Sequence, residues 1–167
     1  DESVDLKKAE LVARDFEVLA KLFKLPFLDG YSLRFRLLGK HHAAGLYFPF
    51  HRCLCVDVRE PSSMAHELLP LLDFKLGCKS KGVSFQRIRD AYASLVEENV
   101  RKSPDDLARW NGSSKYNKKY YLEPTEVFAR CGELFLTREL GLKSACVSKE
   151  TASGFAYPED ERFQKMI

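Results

Sequence analysis

The stretch Ser63-Met64-Ala65-His66-Glu67-Leu68-Leu69-Pro70-Leu71-Leu72-Asp73-Phe74 decides how the chain is read. Its apolar residues recur at helical spacing, and Gly77 follows as a stop, so a helix is expected to run to about Leu76. Positions four apart on a helix share a face, so the pattern His-Glu-x-x-His can grip one metal ion with two imidazoles. The Glu after the first His then lies beside a metal-bound water. Here His66 and Glu67 are in place, and Pro70 stands where the second His would be. A proline inside a helix removes one backbone hydrogen bond and crowds the carbonyl four residues back, at a cost of about 3 kcal/mol. The helix is therefore expected to kink at Pro70 or to restart near it, with Ser62 or Ser63 as N-cap.

Upstream, Leu6, Leu11, Val12, Phe16, Leu19, Leu22 and Phe23 give residues 5–24 a helical rhythm. Residues 31–37 alternate apolar with polar, as a half-buried strand does. Residues 43–48 and 52–58 read as two further strands, separated by Pro49-Phe50-His51. Downstream, residues 85–100 form an amphipathic helix, and 102–121 a polar loop with one short turn around residues 105–110. A helix then opens at Pro124 and ends at Gly141, with Val127, Phe128, Cys131, Leu134, Phe135 and Leu140 on its buried side. The tail from Ser144 is loop, with a turn at Tyr157-Pro158 and a short helix over 160–166. Helix, strand cluster, His-Glu helix and further helices make an α+β arrangement.

At 167 residues the chain is most simply one domain, with 45% hydrophobic and 31% charged residues, as in ordinary globular proteins. A net charge of +3 makes no electrostatic case for a dedicated nucleic-acid binder. No apolar run approaches the roughly 20 residues that span a bilayer, so no membrane association is expected. Five cysteines without framework spacing fit a reducing, cytoplasmic setting. Cys53 and Cys55 alternate along a strand and so share a face, which suits core packing and, less commonly, zinc. The chain begins with Asp1, which suggests a piece of a longer polypeptide.

Three stretches in order resemble the zincin-like metallopeptidase domains of the large polyvalent proteins of phages and conjugative elements. The first is Gly45-Leu46-Tyr47-Phe48-Pro49 leading into Arg52–Val58, similar to the strand over the active-site cleft. The second is Ala65-His66-Glu67-Leu68 with Leu72-Asp73-Phe74. The third is Tyr121-Leu122-Glu123-Pro124-Thr125-Glu126-Val127-Phe128-Ala129-Arg130, similar to the downstream helix whose Glu completes the zinc site. Tyr157-Pro158-Glu159-Asp160-Glu161-Arg162 resembles the closing segment, so the likeness spans residues 31–167, after an N-terminal helix within 1–30. The resemblance implies a small, mostly antiparallel sheet packed on the His-Glu helix. It implies His66 and Glu126 as zinc ligands, Glu67 as general base, Asp73 as a carboxylate behind the ligands, and a cleft edged by Tyr47, Cys53 and Cys55. Pro70 departs from the pattern and leaves two protein ligands where a catalytic zinc takes three. His51 and Asp73 are the candidates for a substitute ligand.

The combined expectation is a degenerate zincin-like domain, with weak or lost zinc, that binds a protein or extended peptide as an interaction module. One alternative is an active zinc peptidase with a substitute ligand. Another is a nucleic-acid accessory domain using Lys115, Lys118 and Lys119 among Tyr116, Tyr120 and Tyr121. Taken alone, His66-Glu67 also reads as a structural pair at a helix start, and Glu126 as a first-turn acid that complements the helix dipole. The pair His41-His42 reads as a solvated turn.

Overall fold

A computed structural model describes residues 4–23, 30–38, 45–48 and 50–167. His41, His42 and Pro49 lie outside them. Helix α1 spans Leu6–Leu22, and Asp5 caps it by accepting from the Lys7 and Lys8 amides. Only one side of α1 is packed: Val12 and Leu19 are buried, whereas Leu6 and Leu11 are exposed despite fitting the apolar rhythm. Strands β1 (Ser32–Phe35), β2 (Gly45–Phe48) and β3 (Cys53–Val56) form one sheet in the order β1-β3-β2.

The fold is α+β as expected, and its sheet is mixed where a mostly antiparallel one was implied. Strand β2 pairs antiparallel with β3, but β1 pairs parallel with it, Ser32 opposite Cys53. The β2–β3 hairpin lays β3 into the central place, beside β1 and running the same way. Alternation then sorts the two faces. Leu54 and Val56 turn toward α1 and α2, and Cys53 and Cys55 turn to the other face with Leu38 and Leu46. Buried Asp57 fixes the end of β3 by accepting from the Leu38 amide at 2.8 Å and from Arg59 Nε at 2.9 Å.

Helix α2 (Ser63–Lys75) is the centre of the molecule. It runs without interruption through Pro70, so the expected restart does not occur. Ser62 occupies the N-cap position without a side-chain capping bond, and the Ser63 hydroxyl instead donates to the Glu60 carbonyl. Burial explains why the proline is tolerated: Met64, Ala65, Leu68, Leu69 and Leu71 are all buried, and their packing outweighs one missing backbone bond. Its C-terminal end is held by Asp73, whose carboxylate accepts from the Ser80 amide at 2.7 Å and hydroxyl at 2.6 Å, across a 3-10 turn at Lys79–Lys81.

Helices α3 (Val83–Val100), α4 (Pro104–Asn111), α5 (Lys118–Tyr121), α6 (Pro124–Leu134) and α7 (Glu161–Gln164) complete the described chain. The segment expected as a polar loop therefore holds two helices. Ser103 caps α4 and Asn117 caps α5, in each case by accepting from a backbone amide. Trp110 is buried and stacks on Tyr121 at 6.0 Å between ring centres, as a packing anchor does. Beyond α6 the chain widens into a π turn at Phe135–Glu139, where the Thr137 hydroxyl donates to the Glu133 carbonyl. That change of pitch takes Phe135 and Leu140 off the buried face, so both are exposed, contrary to the apolar pattern. Among the described residues no helix is long and apolar enough to cross a membrane, and all five cysteines are free.

Helices α2 and α6 cross closely because position 132 is glycine. A Cβ there would stand 2.5 Å from Leu69 Cδ2 in a buried contact. Gly132→Val is expected to lose about 1–3 kcal/mol of stability, read as a lower denaturation midpoint. Leu69→Ala in the same chain should restore part of that loss, which a double-mutant cycle would measure.

Candidate functional site

The site is built where α2, β2, α6 and the C-terminal segment meet. Strand β2 lies so near the first turns of α2 that a Cβ on Gly45 would stand 2.5 Å from Glu67 Cγ. Only glycine permits that approach. The Tyr47 amide donates to Glu67 Oε2 at 3.0 Å. In an antiparallel strand a residue's N–H and C=O point the same way, so Tyr47 turns its backbone groups from β3 toward α2.

From α6 come Glu126 and Glu133, seven residues or about two turns apart and so on one face. The His66 ring sits between them. Its Nε2 is 3.2 Å from Glu126 Oε2, and its Nδ1 is 3.0 Å from Glu133 Oε2. The Tyr157 hydroxyl also donates to Glu133 Oε2, at 2.7 Å. Buried Arg130 places Nη1 3.1 Å from Glu126 Oε2, with its guanidinium 5.2 and 5.0 Å from the Tyr120 and Tyr121 ring centres. Two cations and two carboxylates thus alternate through a shielded cluster.

Ionised carboxylates only accept hydrogen bonds, so a ring with a carboxylate at each nitrogen makes both bonds only when both nitrogens carry protons. The electrostatics agree. Burial alone would lower the His66 pKa, but its hydrogen bonds to Glu126 and Glu133 and the charges of those carboxylates outweigh it, and it is pushed up to about 10. Burial pushes Glu126 upward, yet the His66 hydrogen bond and the charges of His66 and Arg130 hold it below the ordinary carboxyl value. Glu67 moves the other way: burial raises it, and the nearby Glu126 and Glu133 add to the rise against the opposing His66 charge.

In front of this cluster opens a cleft of about 280 Å³. His66, Glu67 and Glu133 line it with Gly45, Tyr116, Tyr120 and Tyr157. His66, Glu67 and Glu126 are therefore brought together as the sequence suggested. Other assignments are corrected. Asp73 does not stand behind His66, because its carboxylate is committed to Ser80. His51 is exposed in the turn beyond Phe48, at the opposite end of β2 from Gly45, and packs edge-on to Phe48. It cannot serve as a substitute ligand. Cys53 and Cys55 face the side of the sheet away from α2 and do not edge the cleft, and Tyr47 borders it only through its amide. Lys118 is paired with Glu97 at 2.5 Å, Lys115 lies over the Tyr116 ring, and Lys119 is exposed on α5. Glu133 escaped notice in the sequence, and Tyr157 was read there as part of a turn and of the closing segment, with no role in the site. The heptad spacing from Glu126 was the signal for Glu133. Tyr157 lies 24 residues beyond it, and local pattern carries no sign of that contact.

Comparison with family models, curated proteins and solved structures finds no match for the chain. The zinc implied by the resemblance is therefore judged on the donor set alone. A catalytic zinc takes three protein ligands. His66 and Glu126 converge, and Glu133 sits where a carboxylate would orient a ligating imidazole. Pro70 offers no donor, and Arg130 already holds Glu126 Oε2. Among the described residues no group of three His, Cys, Asp or Glu side chains is arranged to hold a metal. Among the described residues the donors that converge here are thus His66 and Glu126, one short of the three that a catalytic zinc takes.

The raised His66 pKa has a definite sign. Its contribution to stability is complete below its ordinary value near 6.5 and is lost as pH rises through about 10. Urea denaturation between pH 7 and 10 should show a falling midpoint. Glu133→Gln should cost about 1.5–3 kcal/mol at pH 7 and flatten that fall. Equal slopes in both proteins would contradict the assignment.

Proposed function

We propose that this chain is a zincin-like scaffold whose cleft binds a protein segment or extended peptide and does not hydrolyse it. The observation that supports this most is the pairing of His66 with Glu126 and Glu133 on one side, while Pro70 stands at the position of a second ligand. A proton on His66, together with Arg130, supplies the positive charge that two facing carboxylates need, so the cluster is balanced without an ion. With no metal to acidify it, a water in the cleft keeps a pKa near its bulk value, and Glu67 alone is too weak a base to activate it.

The surface around the cluster suits peptide recognition. The cleft is open and mixed in polarity, and β2 is the edge strand beside it. An extended peptide recognised along an exposed strand draws affinity from main-chain hydrogen bonds and specificity from side-chain pockets. The Tyr47 amide is already taken by Glu67, so an incoming strand either displaces that carboxylate or pairs elsewhere along β2. A nucleic-acid role is less well supported, since Lys118 is engaged by Glu97 and Lys115 by an aromatic ring. The setting in a phage or mobile-element protein rests on the sequence resemblance.

Metal analysis tests the proposal. Protein purified without chelator should carry well under one zinc per chain, and titration with zinc should show no tight site. Pro70→His places an imidazole one turn from His66 and should raise zinc affinity by about 10–100-fold or more. One tightly held zinc in the native chain, lost in His66→Ala, would overturn the proposal in favour of an enzyme.

A further inference from the structure

The outer face of the sheet carries a second cluster of reactive side chains that the cleft does not use. Cys53 and Cys55 project from the same side of β3, with their sulfurs 3.6 Å apart. Both are buried, at 3% and 5% exposure, and pack with Leu38 and Leu46. Strand geometry governs what such a pair can do. Residues two apart in a strand have Cα atoms about 6.6–6.8 Å apart. Disulfides favour about 5.5–6 Å and reach their limit near 6.8 Å. Direct oxidation would therefore pucker β3, whose residues are paired on both sides with β1 and β2. Inserting one atom between the sulfurs demands no such movement. A separation of 3.6 Å is the span of two thiolates bound to one centre by bonds of about 2.3 Å, the length of a metal–thiolate bond.

Ligand number and charge then distinguish the centres such a pair could hold. Zinc needs four ligands, and no further His, Cys, Asp or Glu joins the pair among the described residues. A monovalent copper ion held by two thiolates leaves a net negative charge beside Arg34 and Arg36, so it is the charged competitor for the pair. A trivalent arsenical with one organic substituent forms a neutral adduct with two thiolates. We propose that Cys53 and Cys55 are a chelating site for a monosubstituted trivalent arsenical or an equivalent thiophilic centre that two thiolates neutralise. For the hydrated arsenical R–As(OH)2, two S–H and two As–O bonds break, two As–S and two O–H bonds form, two waters leave, and arsenic stays trivalent.

The full chain treated with one equivalent of phenylarsine oxide tests the site. Intact mass should show one arsenical per chain that excess glutathione does not remove and a dithiol does. In the unaltered protein the adduct should protect Cys53 and Cys55, and no other cysteine, from alkylation by N-ethylmaleimide. Cys53→Ser or Cys55→Ser should shorten adduct lifetime in glutathione by about a hundredfold or more, because the second bond no longer forms at high local concentration. Cys78→Ser, which removes the one partly exposed thiol, should change nothing. Protection mapped to Cys78, Cys131 or Cys146 would overturn the proposal, as would uptake only after denaturation. An intramolecular Cys53–Cys55 disulfide formed readily by hydrogen peroxide would overturn the geometric argument against direct oxidation.

Discussion

The imidazole of His66, held between Glu126 and Glu133, is the contact on which the rest of the structure depends. It joins the helix that carries the core to the helix that crosses it. Through Glu133 and Tyr157 it also ties down the C-terminal segment. A charged group so shielded is stable only when each of its donors has a partner, and removing one partner leaves the other charge uncompensated. The two carboxylates would repel each other across α6 without a cation between them. The proton on His66 and the guanidinium of Arg130 share that task. The tyrosine rings over Arg130 hold the guanidinium in place by cation–π attraction.

Much of this frame was legible in the sequence. Periodicity located α1, β1, β2, α2, α3 and α6 through the apolar spacing of their packed faces, whereas β3, buried on both faces, was legible as a run of small apolar residues. The convergence of His66 and Glu126 was implied by the resemblance that the three stretches carry. Failures have physical causes. The helix at Pro104–Asn111 was legible only as a short turn over 105–110, and the one at Lys118–Tyr121 escaped, because their composition is polar and only Trp110 and Tyr121 are buried in them. The parallel pairing of β1 escaped because strand alternation reports faces and says nothing of direction.

Asp73 shows the limit of spacing arguments most clearly. Seven residues past His66, it lies on the same side of α2, where the resemblance implies a carboxylate behind the ligand. Nearly two turns of helix also carry it about 10 Å along the axis, out of reach of the ring and within reach of Ser80. The same spacing on α6 succeeds for Glu126 and Glu133 because the imidazole lies between them and presents a nitrogen to each. Face and height both matter, and sequence gives the first more readily than the second.

Pro70 and the His66 proton belong to one account. A ligand-poor helix leaves two carboxylates facing an imidazole, and protonation settles their charge. Nitrogen NMR of the His66 ring at pH 8 tests this most directly. Both ring nitrogens are expected to carry protons at that pH, well above the ordinary histidine value and below the raised value of about 10. A neutral ring with one bare nitrogen at pH 8 would contradict it and return the site to a form ready to bind a metal ion.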